Sequence, residues 1–251
     1  MTFTLLAYIG AVYLLAGCVK GVVGLGLPTI SLALLAAVLG LKEAMVILLV
    51  PSFITNIVQA FSGGQLNVLL RRFWPFLILL CIFTWFSTGV LVIADGDLLA
   101  TGLGIVLIVY CGVSLTNFRI PSPGKWERWL TPIMGAFTGI STGLTGTFVV
   151  PGILYLQSMN LGKDGLVQAM GLCFTIATLA LGFSLGGRGV LGTEETIVSC
   201  AMVVPALLGM YLGVRIRRLI DERVFRKLFF IALLAVGVWI IVSAVLVENR
   251  L

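Results

Sequence analysis

Long apolar runs, separated by short polar turns, occupy almost the whole chain, and this pattern limits the folds open to it. The runs fall at about 3–26, 28–40, 44–61, 73–93 and 98–117, and again at about 130–147, 148–160, 165–185, 197–213 and 228–247. Only 10% of the residues are charged, a share well below that of soluble domains. A membrane-spanning helix needs about 20 apolar residues, and lipid satisfies no backbone hydrogen bonds. The runs therefore predict an all-α polytopic membrane protein.

The charges and cysteines exclude several other classes. The formal net charge is +6, but the basic residues lie in turns between apolar runs, which indicates membrane topology rather than nucleic-acid binding. The five cysteines lie within apolar runs without CxxC spacing, so neither a disulfide framework nor a metal site is predicted. The chain has no histidine, and no carboxylate lies inside an apolar run. We therefore expect no cofactor and no enzyme, since general bases and metal ligands are lacking.

The ten runs divide into two series of five that share landmarks. Four pairs lie 121 to 124 residues apart: Pro28 with Pro151, Lys42-Glu43 with Lys163-Asp164, Gly63-Gly64 with Gly186-Gly187, and Gly89-Val90 with Gly213-Val214. This regularity predicts an internal duplication. The first membrane repeat would span 1–118 and the second 130–251, joined by a cytoplasmic linker at 119–129.

The positive-inside rule orients the two repeats in opposite directions. If the arginine-rich segment 215–227 is cytoplasmic, counting the spans places the Arg71-Arg72 turn and the linker inside as well. Twelve basic residues then lie inside and three outside, and both termini are predicted outside. Trp74, Trp126 and Trp129 fall at the predicted membrane interfaces, where aromatic belts occur. Inverted repeats of this kind are typical of transporters.

Two of the runs, 28–40 and 148–160, are too short to cross the hydrocarbon unaided. Each follows a glycine-rich stretch, carries a proline near its start, and makes only about 20 Å of helix. We expect half-helices there, either re-entrant or completing a broken crossing. Paired broken helices place a transporter's substrate site near the membrane midplane, where the two repeats meet.

A lysine inside the first apolar run is the strongest indication of a functional site. Lys20 lies within GCVKGVVGLGLP, whereas the other charged residues occupy turns, the linker or segment ends. An intramembrane lysine costs about 2.5–3.5 kcal/mol and marks a functional site by default, although its long side chain also allows it to reach the interface. The residues that interrupt the helix after it are Gly21, Gly24, Gly26 and Pro28. A cation beside exposed amides and the start of a half-helix suits an anion.

Other polar residues at membrane depth complete the predicted substrate site. In the second repeat, the matching glycine-rich stretch carries hydroxyl groups and no lysine, at Ser141, Thr142 and Thr145. The third run and its counterpart each have a polar helical face, which includes Ser52, Asn56 and Gln59 in one and Gln168 and Thr175 in the other. These groups either line a substrate path or form hydrogen bonds between helices, and glycine runs also serve close helix packing. The sequence leaves both readings open.

The same stretches resemble those of a known family. Similarity to the sulfite exporter TauE/SafE family, also called the toluenesulfonate uptake permease family, is carried by GCVKGVVGLGLPTISLALL, LLVPSFITNIVQAF, GAFTGISTGLTGTFVVPGILYL and LVQAMGLCFTIATLALGF. The resemblance covers essentially the whole chain. It implies transport of sulfite, sulfonates or related organic anions across a bacterial inner membrane, with motif positions that include Pro51, Asn56 and Gln59. The family's glycine cluster is thinned here to alternating Gly-Leu-Gly, and the resemblance does not give the transport direction.

The sequence therefore predicts a secondary transporter of small anions that works by alternating access. Two alternatives stay open: an anion channel lined by the same residues, and a non-transporting membrane protein of assembly or regulation. The predicted partners are a small anionic substrate and the lipid bilayer, without nucleic acid or metal. A homo-oligomer is left open.

Overall fold

The computed structural model describes residues 1–116, 121–217 and 222–248, and most of these residues are helical, with no strand among them. The α-helices of the described chain are α1 Phe3–Val23, α2 Leu27–Leu39, α3 Leu41–Phe61, α4 Leu66–Ile93, α5 Gly96–Leu115, α6 Glu127–Thr145, α7 Leu154–Gln157, α8 Gly162–Gly187, α9 Thr193–Ala201, α10 Val203–Ile216 and α11 Glu222–Glu248. Six segments of it are long and apolar enough to cross a membrane, so the predicted all-α polytopic class is confirmed. Three arginines that the charge count includes lie outside the described residues: Arg119, Arg218 and Arg250. The first two positions of the predicted linker, 119–120, also lie outside them.

The glycine-rich stretch after Lys20 ends one helix and begins another, as predicted. Gly24 caps α1 in the left-handed conformation, with φ of 83°, and its N–H donates to the Lys20 carbonyl oxygen at 2.7 Å. Gly26 is also left-handed, with φ of 110°, and immediately precedes α2, whose second residue is Pro28. Glycine adopts these angles at little cost, so the two glycines determine where the helix breaks. α2 has 13 residues, the length of the predicted half-helix.

The corresponding stretch of the second repeat breaks in the same way but continues less regularly. Gly146 caps α6 with φ of 70°, and its N–H donates to the Thr142 carbonyl oxygen at 2.8 Å. A π-helical turn at Val149–Ile153 then leads into the short helix α7. Val150 has extended backbone angles inside this turn because the ring of Pro151 disfavours a helical conformation in the preceding residue. The predicted half-helix at 148–160 is therefore divided.

One predicted run, 197–213, contains two helices in the structure. α9 ends at Ala201, and α10 begins two residues later. Pro205 lies in the first turn of α10, where an N–H is not needed, whereas in a continuous helix its ring would crowd the carbonyl group of Ala201. The proline accounts for a break within a segment that is otherwise long enough to span the membrane as 193–216.

A proline in the middle of α3 has its missing backbone hydrogen bond replaced by a side chain of α9. Pro51 has no N–H with which to bond the Ile47 carbonyl oxygen. The hydroxyl of buried Ser199 donates to that oxygen at 2.8 Å and accepts the N–H of Val50 at 3.1 Å. Because lipid offers no partner to a freed carbonyl group, this hydroxyl stabilises α3 at the proline.

The chain forms two compact units, and each draws on both halves of the sequence. The first unit comprises Met1–Pro51, Asp95–Asn117 and Leu191–Leu251, and the second comprises Ser52–Ala94 and Phe118–Val190. Within the first unit α1 packs along α10 and α5 along α11, and within the second α4 packs along α6 and α8. The predicted linker at 119–129 separates two repeats of the sequence, and the compact units are a different division of the chain. The division into repeats stays a prediction, as does the inversion of the second repeat.

Each unit has its own apolar core. Tyr13, Leu32 and Tyr110 are buried in the first unit. Phe76 and Phe148 are buried in the second, where the Phe148 ring lies against another phenylalanine ring with centroids 4.0 Å apart. Many apolar side chains on the long helices are exposed, as expected of surfaces that face lipid.

Candidate substrate site

Lys20 lies in the last turn of α1, and its side chain is almost entirely buried. Only 3% of its surface is exposed, which disfavours the alternative of a side chain that extends to the membrane interface. The C-terminus of a helix carries the negative end of the helix dipole, so this position favours a cation. Lys20 is the only lysine or arginine that is buried among those whose side chains the structure describes.

The start of α2 adds a second feature that favours an anion. The first N–H groups of a helix have no partner within it and form the positive end of its dipole. Gly26, the residue before α2, has no side chain with which to accept hydrogen bonds from them. The break after Lys20 therefore combines a buried cation with an uncapped helix N-terminus, and both features attract anions.

Thr142 occupies in α6 the place that Lys20 occupies in α1. Each lies four residues before a left-handed glycine, and each carbonyl oxygen accepts the N–H of that glycine. Thr142 is fully buried, and its hydroxyl donates to the Thr138 carbonyl oxygen at 2.7 Å within the same helix. The buried positive charge is thus confined to the first of the two matching positions.

Glycines of α1 bring its backbone directly against α10. A methyl group at Gly17 would overlap the carbonyl oxygen of Ala206, and one at Gly21 would overlap the carbonyl oxygen of Met210. A glycine on α10 makes the same kind of close contact, since a methyl group at Gly213 would overlap a carbonyl oxygen of α1. Packing between helices therefore explains Gly21 without a ligand, and its predicted role in substrate binding stays a prediction.

The α6–α4 pair repeats this packing in the same register. A methyl group at Gly139 would overlap the Leu80 carbonyl oxygen, and one at Gly143 would crowd the Thr84 carbonyl oxygen at 2.7 Å. The glycines of the second pair follow those of the first by 122 positions, and their partners precede those of the first by 126 positions. The predicted duplication stays a prediction, because any two parallel helix pairs with glycines four residues apart share such a register.

Both helix pairs are parallel. In each pair, the glycine that comes later in the chain faces the residue that comes later in the partner helix. The orientation predicted from the positive charges requires α1 to run parallel to α10 and α4 to run parallel to α6, and the packing agrees with it. Which end faces the cytoplasm stays a prediction.

Two glutamines of the predicted site form reciprocal hydrogen bonds between α3 and α8. The Gln59 side-chain amide donates to the Val167 carbonyl oxygen at 2.9 Å, and the Gln168 amide donates to the Ala60 carbonyl oxygen at 2.8 Å. Both side chains are buried, and the helices approach closely here at Gly171. These bonds are the interhelical contacts that the sequence left open as an alternative to substrate binding.

The polar face of α3 also has partners within its own unit. The Asn56 amide donates to the Ser52 hydroxyl at 3.1 Å, and that hydroxyl lies 3.5 Å from the hydroxyl of Thr178 on α8. Thr175 donates to the Gly171 carbonyl oxygen within α8 at 2.7 Å. The structure thus brings together the predicted residues of α3 with the polar face of α8.

Ser141 differs from the other hydroxyl residues of the predicted site. Its hydroxyl oxygen is buried and has no hydrogen-bond partner among the residues that the structure describes. By contrast, the Thr145 hydroxyl donates to the Ser141 carbonyl oxygen at 2.8 Å and lies 3.0 Å from the Thr147 hydroxyl. A buried hydroxyl without a partner costs about 1–3 kcal/mol, so Ser141 is suited to accept a further hydrogen-bonding group.

A polar face of α4 was missed by the sequence reasoning. Thr84, Ser87 and Thr88 are buried, and the Ser87 hydroxyl lies 3.2 Å from the Gly139 carbonyl oxygen of α6. Their spacing of three and four residues on one helical face was the available signal. This face supports the packing of α6 beside the Thr142 position.

The six spans and the buried polar residues define an α-helical membrane protein with a polar interior. No group of His, Cys, Asp and Glu side chains in the described residues is arranged to hold a metal ion. The family model described as sulfite exporter TauE/SafE matches residues 9–240, so the chain belongs to this family of membrane transporters. Comparison with curated proteins and with solved structures found no significant match.

Proposed function

We propose that the protein is a secondary transporter that moves sulfite, sulfonates or related small organic anions by alternating access. The burial of Lys20 beside the break between α1 and α2 carries this proposal. A charged side chain at membrane depth costs about 2.5–3.5 kcal/mol, and hydrogen bonds to a charged group contribute about 1.5–3 kcal/mol each. Binding an anion beside Lys20 therefore offsets the cost of keeping the ammonium group there.

The remaining predicted residues differ in how strongly the structure favours their contact with substrate. Gly24, Gly26 and Pro28 form the helix end that favours an anion, and the buried hydroxyl of Ser141 has capacity for another hydrogen bond. Gly21 packs against α10, and the other predicted residues make the hydrogen bonds described above within their own units. Their hydrogen bonds with the protein make them weaker candidates for direct contact with substrate.

Uptake by reconstituted vesicles tests the assignment of Lys20. Purified protein in proteoliposomes is compared with Lys20→Gln, which removes the charge, and Lys20→Arg, which keeps it. The matched control is Lys42→Gln, which removes a lysine from the start of α3. We expect Lys20→Gln to lower uptake of labelled sulfite at least about tenfold, because a charge-assisted hydrogen bond contributes more than about 1.4 kcal/mol. Unchanged uptake of every accepted anion in Lys20→Gln would falsify the assignment.

The same vesicles separate a transporter from a channel. A transporter shows saturable uptake, and it shows counterflow when unlabelled anion is loaded inside. Rates that rise without saturation and show no counterflow would instead identify an anion channel. Absence of any anion movement by folded protein would favour the role in assembly or regulation.

We also propose that the protein lies in a bacterial inner membrane with both termini outside. The N-terminal ammonium group of Met1 forms an ion pair with Glu194, which supports placing the N-terminus and the 186–195 loop on one side, as the charge count requires. Fusion of a reporter enzyme that is active only in the periplasm to either terminus tests this orientation. Activity of both fusions is expected, and activity of a fusion to the 119–129 linker would contradict it.

A further inference from the structure

A cavity of about 480 Å³ lies where α4 and α6 begin, and it is lined by none of the predicted substrate residues. Arg72 and Trp74 of α4 contribute to its lining, together with Lys125, Glu127 and Arg128 at the start of α6. α4 is one of the six apolar spans, and these residues lie in its first turns. The cavity is therefore at the level where a spanning helix meets the lipid headgroups.

The charges in this cavity leave an excess of positive charge. Arg72 forms a two-point ion pair with Glu127, with nitrogen–oxygen distances of 2.7 and 2.9 Å. Lys125 and Arg128 are exposed, and neither forms an ion pair with a residue that the structure describes. The N-terminus of α6 adds the positive end of its dipole, which Glu127 in the first turn partly offsets. The cavity therefore favours an anion.

Apolar surface continues from the cavity along the outside of α4. Trp74 lines the cavity and is more than half exposed, as are Trp126 and Trp129 nearby in the chain. Ile78 and Ile82 follow Trp74 at four-residue intervals on the same helical face, and both are exposed. Indole rings favour the headgroup region, and a strip of isoleucine favours an acyl chain. A free inorganic anion would make no favourable contact with this apolar strip.

The geometry points to this cavity as a binding site for an anionic phospholipid. Lys125 and Arg128 contact the phosphate group, the Arg72–Glu127 ion pair holds the starts of α4 and α6 together, and the acyl chain lies along Trp74, Ile78 and Ile82. A site of this kind is independent of transport, so its failure would leave the proposed function untouched.

Lipid retained by the purified full-length protein tests this inference. Protein extracted from vesicles of equal phosphatidylglycerol and phosphatidylcholine content is washed in detergent, and bound lipid per chain is counted by native mass spectrometry. We expect preferential retention of phosphatidylglycerol, reduced about tenfold or more in Lys125→Gln/Arg128→Gln, because each basic residue near a headgroup favours anionic lipid. The matched control, Arg71→Gln/Lys227→Gln, removes two exposed positive charges outside the cavity and is expected to retain lipid like the wild type.

The outcomes discriminate among three explanations. An equal loss in the control variant means that general surface charge holds the lipid, and it overturns the site. Displacement of phosphatidylglycerol by inorganic phosphate at millimolar concentration means that a free anion occupies the cavity, and it overturns the lipid assignment. Should the double variant unfold, Arg128→Gln alone is expected to give a several-fold loss with an unchanged melting temperature, and full retention by that folded variant overturns the site.

Discussion

The α1–α10 and α6–α4 helix pairs share a glycine register, yet they carry different residues at their matching positions before the break. Lys20 is buried in one and Thr142 is buried in the other, and each accepts a hydrogen bond from the glycine that caps its helix. The second pair shows that this packing needs no cation. The charge of Lys20 is therefore not a requirement of the fold, which favours a role in binding.

The pairs also differ after their capping glycines. α2 continues for 13 residues as a regular helix, whereas the second pair is followed by the kinked turn Val149–Ile153 and the four residues of α7. A longer helix has the more complete dipole at its N-terminus. The lysine and the stronger helix end thus occur together, in the first repeat.

The largest effect is expected when the glycine register is broken. Gly21→Leu and Gly143→Leu place side chains against backbone atoms of the partner helix, which must move away. We expect each to lower the free energy of unfolding by about 3 kcal/mol, the upper end of the typical range for overpacking, because backbone atoms must move. Thermal unfolding in detergent measures both. Similar losses in the two pairs support a shared register, and a loss in only one would break the comparison.

Gly10→Leu provides the control for this experiment. Gly10 lies in α1, and a methyl group added there would meet no atom within 4 Å, so this position lacks the close backbone contact of Gly21. Replacing glycine inside a helix favours the helical conformation by about 1 kcal/mol. An unchanged or raised melting temperature is expected, and a loss like that of Gly21→Leu would mean that glycine itself, rather than close packing, matters.

The next largest effect is expected when Lys20 is replaced by threonine, the residue at the matching position of the second repeat. Lys20→Thr is expected to lower sulfite uptake at least about tenfold, since a charge-assisted hydrogen bond is lost. Its melting temperature is expected to equal or exceed that of the wild type, because Thr142 shows that threonine fits. A drop in stability that parallels the drop in uptake would make Lys20 a structural residue.

A smaller effect is expected when the hydrogen bond that supports α3 at its proline is removed, a bond that α8 in the second repeat does not need. α3 contains Pro51, whereas α8 has no proline, so only α3 depends on the Ser199 hydroxyl for its backbone bonding. Ser199→Ala is expected to lower the free energy of unfolding by about 1 kcal/mol, the contribution of a typical hydrogen bond. In the Pro51→Ala background, the restored N–H takes over the bond. The same serine substitution there is expected to cost much less, and an equal cost would refute the role given to Ser199.

The smallest effect is expected from the two glutamines. Gln59→Leu removes a hydrogen bond from α3 to α8, and bonds of this kind inside membranes contribute about 0.6 kcal/mol. Gln168→Leu removes the bond to Ala60 and also the bond that its side-chain oxygen accepts from the Gln65 N–H, so its loss is expected to be the larger. Small losses in melting temperature in this order, with normal uptake, would assign both glutamines to packing. A large loss of uptake at full stability in either variant would assign that glutamine to substrate binding.

Much of the fold follows from local sequence patterns. Apolar runs of sufficient length predict spans, and Gly24 and Gly26 followed by Pro28 predict the break, because these residues set backbone angles locally. The isolated position of Lys20 among apolar residues likewise predicts a special site. Each of these inferences depends on neighbours along the chain, which the sequence shows directly.

What the sequence leaves out is which distant elements meet. Glycine spacing on α1 predicts close packing, but it does not name α10 as the partner. The polar face with Gln59 permits either substrate contact or interhelical bonds, and only the position of the Val167 carbonyl group shows which bond is made. The turn at Val149–Ile153 also escapes prediction, because hydropathy carries no information about backbone angles.

Pro51 is a point of reduced bending stiffness in α3, because it has no N–H to donate, and the Ser199 hydroxyl partly restores that stiffness. An intact helix resists bending through a continuous ladder of hydrogen bonds, whereas at Pro51 one bond of that ladder is replaced by a hydroxyl on another helix. Loss of that replacement bond costs about 1 kcal/mol, less than twice the thermal energy. α3 passes from the first compact unit to the second at this residue, so the replaced hydrogen bond coincides with a boundary between units along the chain.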